Sequence, residues 1–187
     1  RTGYFSATEI VTVLNYLKVC DNPLQDIPLM GVLRSPIVGC TSQELAELRI
    51  QYPDGLLYES ISAYAGENEI LEKELTPDKL KYELSNNNLQ TGEKNSLNIK
   101  LKGFLSLLEK VRNMAAYTPV HELILYVLKE TGYGDYARAL PGGEQRFANL
   151  TMLVEKAMDY EKTSYRGLFN FVRYIEQLQA YEVDYGE

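Results

Sequence analysis

Between Asp21 and Glu47, in DNPLQDIPLMGVLRSPIVGCTSQELAE, three prolines break the backbone into short pieces. Pro23, Pro28 and Pro36 each hold φ at about −65° and push the preceding residue out of the helical region. No long helix or strand passes through such a stretch, so it reads as a packed corner. Pro28 suits the first turn of a helix, where no amide donor is needed. Leu29, Met30, Val32 and Leu33 make that turn apolar, and Gly31 within it predicts a close backbone approach. Beyond Pro36, Ile37 and Val38 run into Gly39. Thr41, Ser42, Gln43 and Glu44 then have the form of a capping box, Thr41 capping the next helix and Glu44 reaching back to it.

Around this corner the apolar residues recur at three- and four-residue spacing, the signature of helices packed on one face. Ser6 to Glu9 reads as a capping box opening a helix with Ile10, Val13, Leu14 and Leu17 inward. Leu45 and Leu48 face inward until Pro53, Asp54 and Gly55 turn the chain, and Leu56, Leu57, Ile61 and Tyr64 form a short helix that Gly66 is expected to end. Residues 67–84 read as a solvated outer face in which Thr76 and Pro77 restart the helix, and residues 85–96, with one apolar side chain, as a mobile loop. Leu97, Leu101, Phe104, Leu105, Leu108, Val111 and Ala115 give the longest stripe, expected to be a central helix. Thr118 and Pro119 are expected to start another, carrying Leu123, Ile124, Val127 and Leu128 to a left-handed cap at Gly132. Tyr133 to Gly143 reads as a glycine-punctuated link. A helix over 144–162 follows, with Phe147, Leu150, Leu153, Val154, Ala157 and Met158 inward. Ser164 is expected to cap the last helix, with Leu168, Phe171, Val172, Ile175 and Leu178 on its stripe, and residues 181–187 to fray. No alternating strand pattern appears, so the expected fold is all-α, an irregular multi-helix lobe over 1–187.

At 187 residues the chain suits one domain or one lobe of something larger. It starts at Arg1 without a charged-then-apolar leader, which reads as a cut from a longer protein. No apolar run nears the ~18 residues of a membrane span, and Cys20 and Cys40 sit among apolar neighbours as reduced core residues. A cytoplasmic protein without membrane contact is expected. The net charge of −7 argues against a dedicated nucleic-acid module, because affinity for phosphates comes from Lys and Arg. The charge is uneven, however. Residues 67–83 hold six acids against three lysines, whereas residues 133–173 hold six bases against five acids, so any phosphate contact should be local.

Catalytic patterns are missing. Gly142 and Gly143 precede Glu144 with no lysine, and Gly132 and Gly134 precede Asp135, so no phosphate-cradling loop is present. The lone histidine, His121, lacks a second imidazole or thiol in a metal-ligand spacing. The chain by itself is expected to bind neither metal nor cofactor and to catalyse nothing.

Three blocks in order resemble the A subunit of the AddAB-type helicase and nuclease of bacteria, a relative of the UvrD-like and RecB-like superfamily 1 helicases. The first is Asp21, Asn22, Pro23, Asp26 to Leu29 and Val32 to Gly39; the second is Leu140 to Arg146 with Ala148, Asn149 and Leu150; the third is Ser164, Arg166 to Phe169, Phe171 and Arg173 to Glu176. The resemblance implies the helical subdomain called 2B, which leans on duplex DNA ahead of a fork or end. It implies a parent with ATP-dependent helicase and 3′–5′ exonuclease activity in double-strand-break repair. ATP and magnesium would be bound elsewhere in that parent, and the B subunit would be a partner.

Within the first block, Arg34 to Gly39 sits where UvrD-like helicases carry an arginine-glycine-isoleucine-glycine turn whose amides approach a phosphate. Here Ser35 replaces the first glycine and Pro36 intervenes, so one or more donors are lost. The candidate DNA contacts at this turn are Arg34, Ser35, Gly39, Thr41 and Ser42, the last two at a helix N-terminus that favours anions. The alternative is that Thr41 merely caps its helix and Arg34 pairs with Asp21 or Asp26. Lys162, Arg166 and Arg173 form a second candidate, the two arginines seven apart and hence on one helical face, meeting either phosphate or a neighbouring subunit. Arg146 and Asn149, three apart, are expected to hold the 140–143 link by hydrogen bonds if buried and to touch DNA if exposed. A helical protein-interaction scaffold without DNA contact is the other functional reading, which the acidity and the 15 tyrosines suit.

Overall fold

In the computed structural model the backbone is described for residues 3–74 and 90–185. Among the described residues a 3-10 turn, Tyr4–Ser6, leads into nine α-helices: α1 Thr8–Asp21, α2 Asp26–Arg34, α3 Ser42–Gln51, α4 Leu57–Glu74, α5 Gln90–Ala115, α6 Val120–Glu130, α7 Tyr133–Ala139, α8 Gly143–Glu161 and α9 Leu168–Tyr185. No strand occurs among the described residues, and the fold is all-α.

The hub is α1 rather than the longer α5, which had the cleaner stripe. Between Glu9 and Lys18 it carries no charge, and Ile10, Val13, Leu14, Tyr16, Leu17, Val19 and Cys20 are all buried. A helix that is apolar nearly all round has to be surrounded. It packs on α2, α5, α8 and α9, while α5 lies against α1, α4 and α6, and α6, α7 and α8 pack on one another. Leu97, Leu101, Phe104, Leu108 and Val111 of α5 join the same continuous core as Leu29, Val32 and Leu33 of α2 and Phe171 of α9.

Local rules hold where the determinants are local. Thr41 Oγ1 accepts the Glu44 amide at 3.1 Å and Glu44 Oε1 accepts the Thr41 amide at 2.8 Å, the expected capping box. Gly132, with φ of +68°, ends α6 as foreseen. The approach at Gly31 is to a side chain, since a Cβ there would lie 2.6 Å from Asn15 Nδ2.

Elsewhere tertiary contacts redraw the boundaries. The Ser6–Glu9 box does not form: Ser6 Oγ donates to Gly3 O, α1 starts at Thr8, and the Glu9 carboxylate is drawn into the interior. Gly66 does not end α4, which runs to Glu74; nothing crowds Gly66 and helix-favouring glutamates follow. Helix α5 begins at Gln90, inside the expected loop, and α9 reaches Tyr185, inside the expected frayed tail. The rest of that loop, 85–89, and the Thr76–Pro77 restart lie outside the described residues. Pro119 occupies the cap position of α6 rather than its first turn. The 133–143 link contains α7, because Tyr133 and Ala137, four apart, bury one face. Phe147 and Met158 stay 42% and 45% exposed. Ser164 caps nothing, since a turn through Thr163 and Gly167 delays α9 to Leu168.

Candidate nucleic-acid interface

At the elbow the backbone donors are already engaged. Ser35 is buried; its amide donates to Gly31 O and Val32 O, and its hydroxyl to Val32 O at 2.6 Å. The Ile37 amide donates to Ser35 Oγ, those of Val38 and Gly39 to Ser35 O, and that of Cys40 to Leu33 O. Glu44 then supplies the anion at the α3 N-terminus. Its Oε1 also accepts Lys100 Nζ at 2.8 Å, tying α3 to α5. Burial raises the Glu44 pKa, but the bonds from Lys100 and Thr41 outweigh it and hold the carboxyl below its usual range. A turn that satisfies its own amides and brings its own carboxylate has few donors left for a phosphate. What remains is the exposed Arg34, the hydroxyl of Thr41 and the exposed Ser42 at the start of α3.

Arg34 pairs with neither of its expected acids. Asp26 meets Arg49 at 3.5 Å and accepts the Leu57 amide at 2.9 Å, joining α2, α3 and α4. Burial raises the Asp21 pKa and Arg112 lowers it; Arg112 also donates to Cys20 O at 3.0 Å, where α1 ends. Both thiols are buried and free. Burial pushes Cys40 up to about 11, and Cys20 higher still, which leaves them protonated and unreactive.

The glycine-rich block before α8 is a joint. Gly142 has a φ of +70°, and a Cβ on Gly143 would stand 1.8 Å from Arg138 O, so α7 and α8 meet backbone to backbone. Arg146 Nε donates to Pro141 O at 3.1 Å, bracing the link, and its Nη1 donates to Glu9 Oε2 at 2.9 Å. Asn149 Nδ2 donates to Glu9 Oε1 at 2.7 Å. Both side chains of the Arg146–Asn149 pair thus fasten α8 onto α1. Glu9 was not legible as their partner, because its sequence neighbourhood offers a local use for it.

The second cationic group sits where α8 turns into α9. The two arginines do not share a helical face, because Arg166 lies in the turn and only Arg173 is on α9. Lys162 Nζ binds Asp159 at 2.7 Å, whose carboxylate raises its pKa. The Arg166 guanidinium donates to Thr163 O and Tyr165 O, closing the turn. Arg173 lies 5.5 Å from the Phe169 ring centre and meets no acid among the described residues. Here α9 and the turn border a groove that includes Tyr165, Asn170, Arg173 and Tyr174. Its aromatic content was not read from the sequence, where the tyrosines counted only as suiting a protein-interaction scaffold.

Next to this turn Glu161 reaches α6: Oε1 accepts the His121 amide at 3.1 Å and Oε2 lies 2.5 Å from His121 Nδ1. The lone histidine is therefore part of a helix cap. No cluster of His, Cys, Asp and Glu suited to a metal ion occurs among the described residues. Nor, among them, is any helix long and apolar enough to cross a membrane.

No protein-family model matches the chain. Its similarity to known proteins runs from end to end, however. It is 42% identical to the A subunit of the ATP-dependent helicase/nuclease of Lachnoclostridium phytofermentans over 100% of its own length, and 40% identical to that of Anoxybacillus flavithermus over 99%. The chain belongs to the family of helicase/nuclease A subunits. It spans 15% and 13% of the lengths of those two relatives, and 13% of the A subunit of Bacillus velezensis, to which it is 42% identical. What it shares with these helicase/nuclease A subunits is thus one helical portion.

Proposed function

We propose that this chain is the 2B-like accessory lobe of an ATP-dependent DNA helicase and 3′–5′ exonuclease, contacting duplex DNA near a fork or end and regulating the motor during repair of double-strand breaks. The observation that carries the proposal is the end-to-end match, at 40–43% identity, to one portion of the helicase/nuclease A subunits. In this reading the lobe works in the bacterial cytoplasm beside the B subunit, and ATP and magnesium are held by other parts of the same polypeptide. Lys162, Arg166 and Arg173 form the main DNA-facing group, with Arg166 shaping the turn and Arg173 offering the uncompensated charge. At the elbow, Arg34, Thr41 and Ser42 supply a weaker contact, while Ser35 and Gly39 fix the turn that presents them.

Photocrosslinking in the full two-subunit enzyme tests this reading. Probes on the phosphates of a forked duplex should label the 162–174 segment and, less strongly, residues 34–42. DNA that labels neither segment, while still labelling the motor, overturns it. A second reading, a protein-interaction scaffold, draws support from Ile27 and Ile50, which are 87% and 80% exposed on adjoining helices bridged by Asp26 and Arg49. Protection of these two residues in the assembled enzyme would assign them to contact with another part of it.

A further inference from the structure

The turn from α8 to α9 and the start of α9 enclose a groove of about 430 Å³, bordered by Tyr160, Tyr165, Asn170, Arg173, Tyr174 and Gln177. Its size falls in the range of small-ligand sites, about 300–1,000 Å³. Phosphate contact alone gives no reason for so many rings. Tyr160 is buried and stacks on Tyr174, with centroids 5.5 Å apart and planes 30° from parallel, so the Tyr174 ring is held in place by the core. Tyr165 is 66% exposed. Its backbone is nonetheless fixed: its amide donates to Thr163 Oγ1 at 3.2 Å, its carbonyl accepts from Arg166, and Asn170 Nδ2 donates to Arg166 O at 2.9 Å.

A braced turn that leaves an aromatic ring in water, beside a second ring seated on the core, is a platform for something flat. Asn170 and Gln177 add amides able to meet a mixed donor and acceptor edge. Arg173, without an acidic partner among the described residues, adds a charge for a nearby phosphate. An unpaired nucleobase has all three features, a π-face, a hydrogen-bonding edge and an adjoining phosphate, and aromatic rings take any base on that face. Bases inside a duplex are stacked on each other and present no free face. The groove's lining carries one acid, Asp159, and one base, Arg173; Lys162 binds Asp159 at 2.7 Å, which leaves the Arg173 charge for an anionic strand.

We propose that this groove takes one unpaired nucleobase of a single strand, stacked on Tyr165 and Tyr174 with its phosphate at Arg173. The proposal rests on the DNA-contacting reading above and sharpens it: at this end of the lobe the ligand is the separated strand and not the duplex.

The test uses the full two-subunit enzyme and a forked duplex carrying 5-iodouracil at single positions, irradiated at long wavelength and mapped by mass spectrometry. Iodouracil in the unpaired arm should form adducts on Tyr165 or Tyr174, and iodouracil in the paired region should not. Tyr165→Ala should lower the adduct yield roughly tenfold, the scale of losing one stacked base, and Tyr165→Phe should keep it. The ring is exposed, so neither variant disturbs the fold. If phosphate-borne probes reach Arg173 while iodouracil never reaches either tyrosine, base stacking falls and duplex contact stands. If no probe of either kind reaches residues 160–177, both fall. Hydroxyl-radical footprinting that finds Tyr165 shielded by the B subunit before DNA is added also overturns the proposal, in favour of a protein contact.

Discussion

Glu9 is 3% exposed, and its two carboxylate oxygens meet Arg146 and Asn149. A buried carboxylate is tolerated only when its partners are in place, and removing one member leaves the others unsatisfied. Glu9→Ala should therefore destabilise the chain by about 2–4 kcal/mol in urea unfolding. Because Arg146 would by then have lost its main partner, adding Arg146→Ala should cost less than in the wild type, with a coupling of about 1 kcal/mol or more. Additive losses would show that the three side chains are not one unit. Glu44 makes a different case, since its folded pKa is depressed. Its contribution is present above the unfolded glutamate pKa of about 4.3 and is lost as pH falls through the lower folded value. Glu44→Gln should thus be less stable than the wild type near neutral pH, with the difference closing in acid. A difference that stays constant across that range would exclude the charge as its source. The two glutamates occupy the same position in the same motif, yet only one could be read from the sequence. Glu44 answers to Thr41, three residues away, whereas Glu9 answers to residues 137 and 140 positions away.

Most helices were legible from apolar spacing, and so were ends with local determinants such as Thr41 and Gly132, but ends set by distant groups were not. The start of α6 shows why, since Glu161 from the end of α8 accepts the His121 amide in place of a local cap. Helix α7 hides inside glycines that suggest a link, although its Tyr133–Ala137 pair is visible once a four-residue period is sought there. Glycine substitutions make the difference between local and tertiary control measurable. Gly103 lies exposed inside α5 with nothing within 4 Å of a built Cβ, so Gly103→Ala should stabilise the chain by about 0.5–1 kcal/mol. Gly143→Ala puts a methyl group 1.8 Å from Arg138 O, and neither backbone has a side chain to move aside. It should cost more than Gly142→Ala, whose penalty is the left-handed backbone alone, about 1–2 kcal/mol. Thermal melts of the three variants give the order. Equal behaviour of Gly142→Ala and Gly143→Ala would contradict the backbone contact between α7 and α8.

At the scale of the whole molecule, a net charge of −7 has to be reconciled with the proposed role on DNA. Affinity for a polyanion falls with salt in proportion to the phosphates neutralised, by about 0.9 in log K per log unit of salt for each. An acidic lobe can contribute only where cations are uncompensated. Lys162 already has Asp159 at 2.7 Å, and Arg166 is engaged with turn carbonyls, whereas Arg173 lies over the Phe169 ring and meets no acid among the described residues. The three cations, equivalent in sequence, are therefore unequal in the fold. In the full two-subunit enzyme on a forked duplex, Arg173→Ala should reduce the magnitude of the salt slope by about one and weaken binding. Lys162→Ala should change it less, because removing that lysine also releases Asp159 from its partner. Measured slopes at several salt concentrations decide the matter. Equal reductions for both variants would mean that the Lys162–Asp159 pair opens on DNA, and no reduction for either would remove this end of the lobe from the interface.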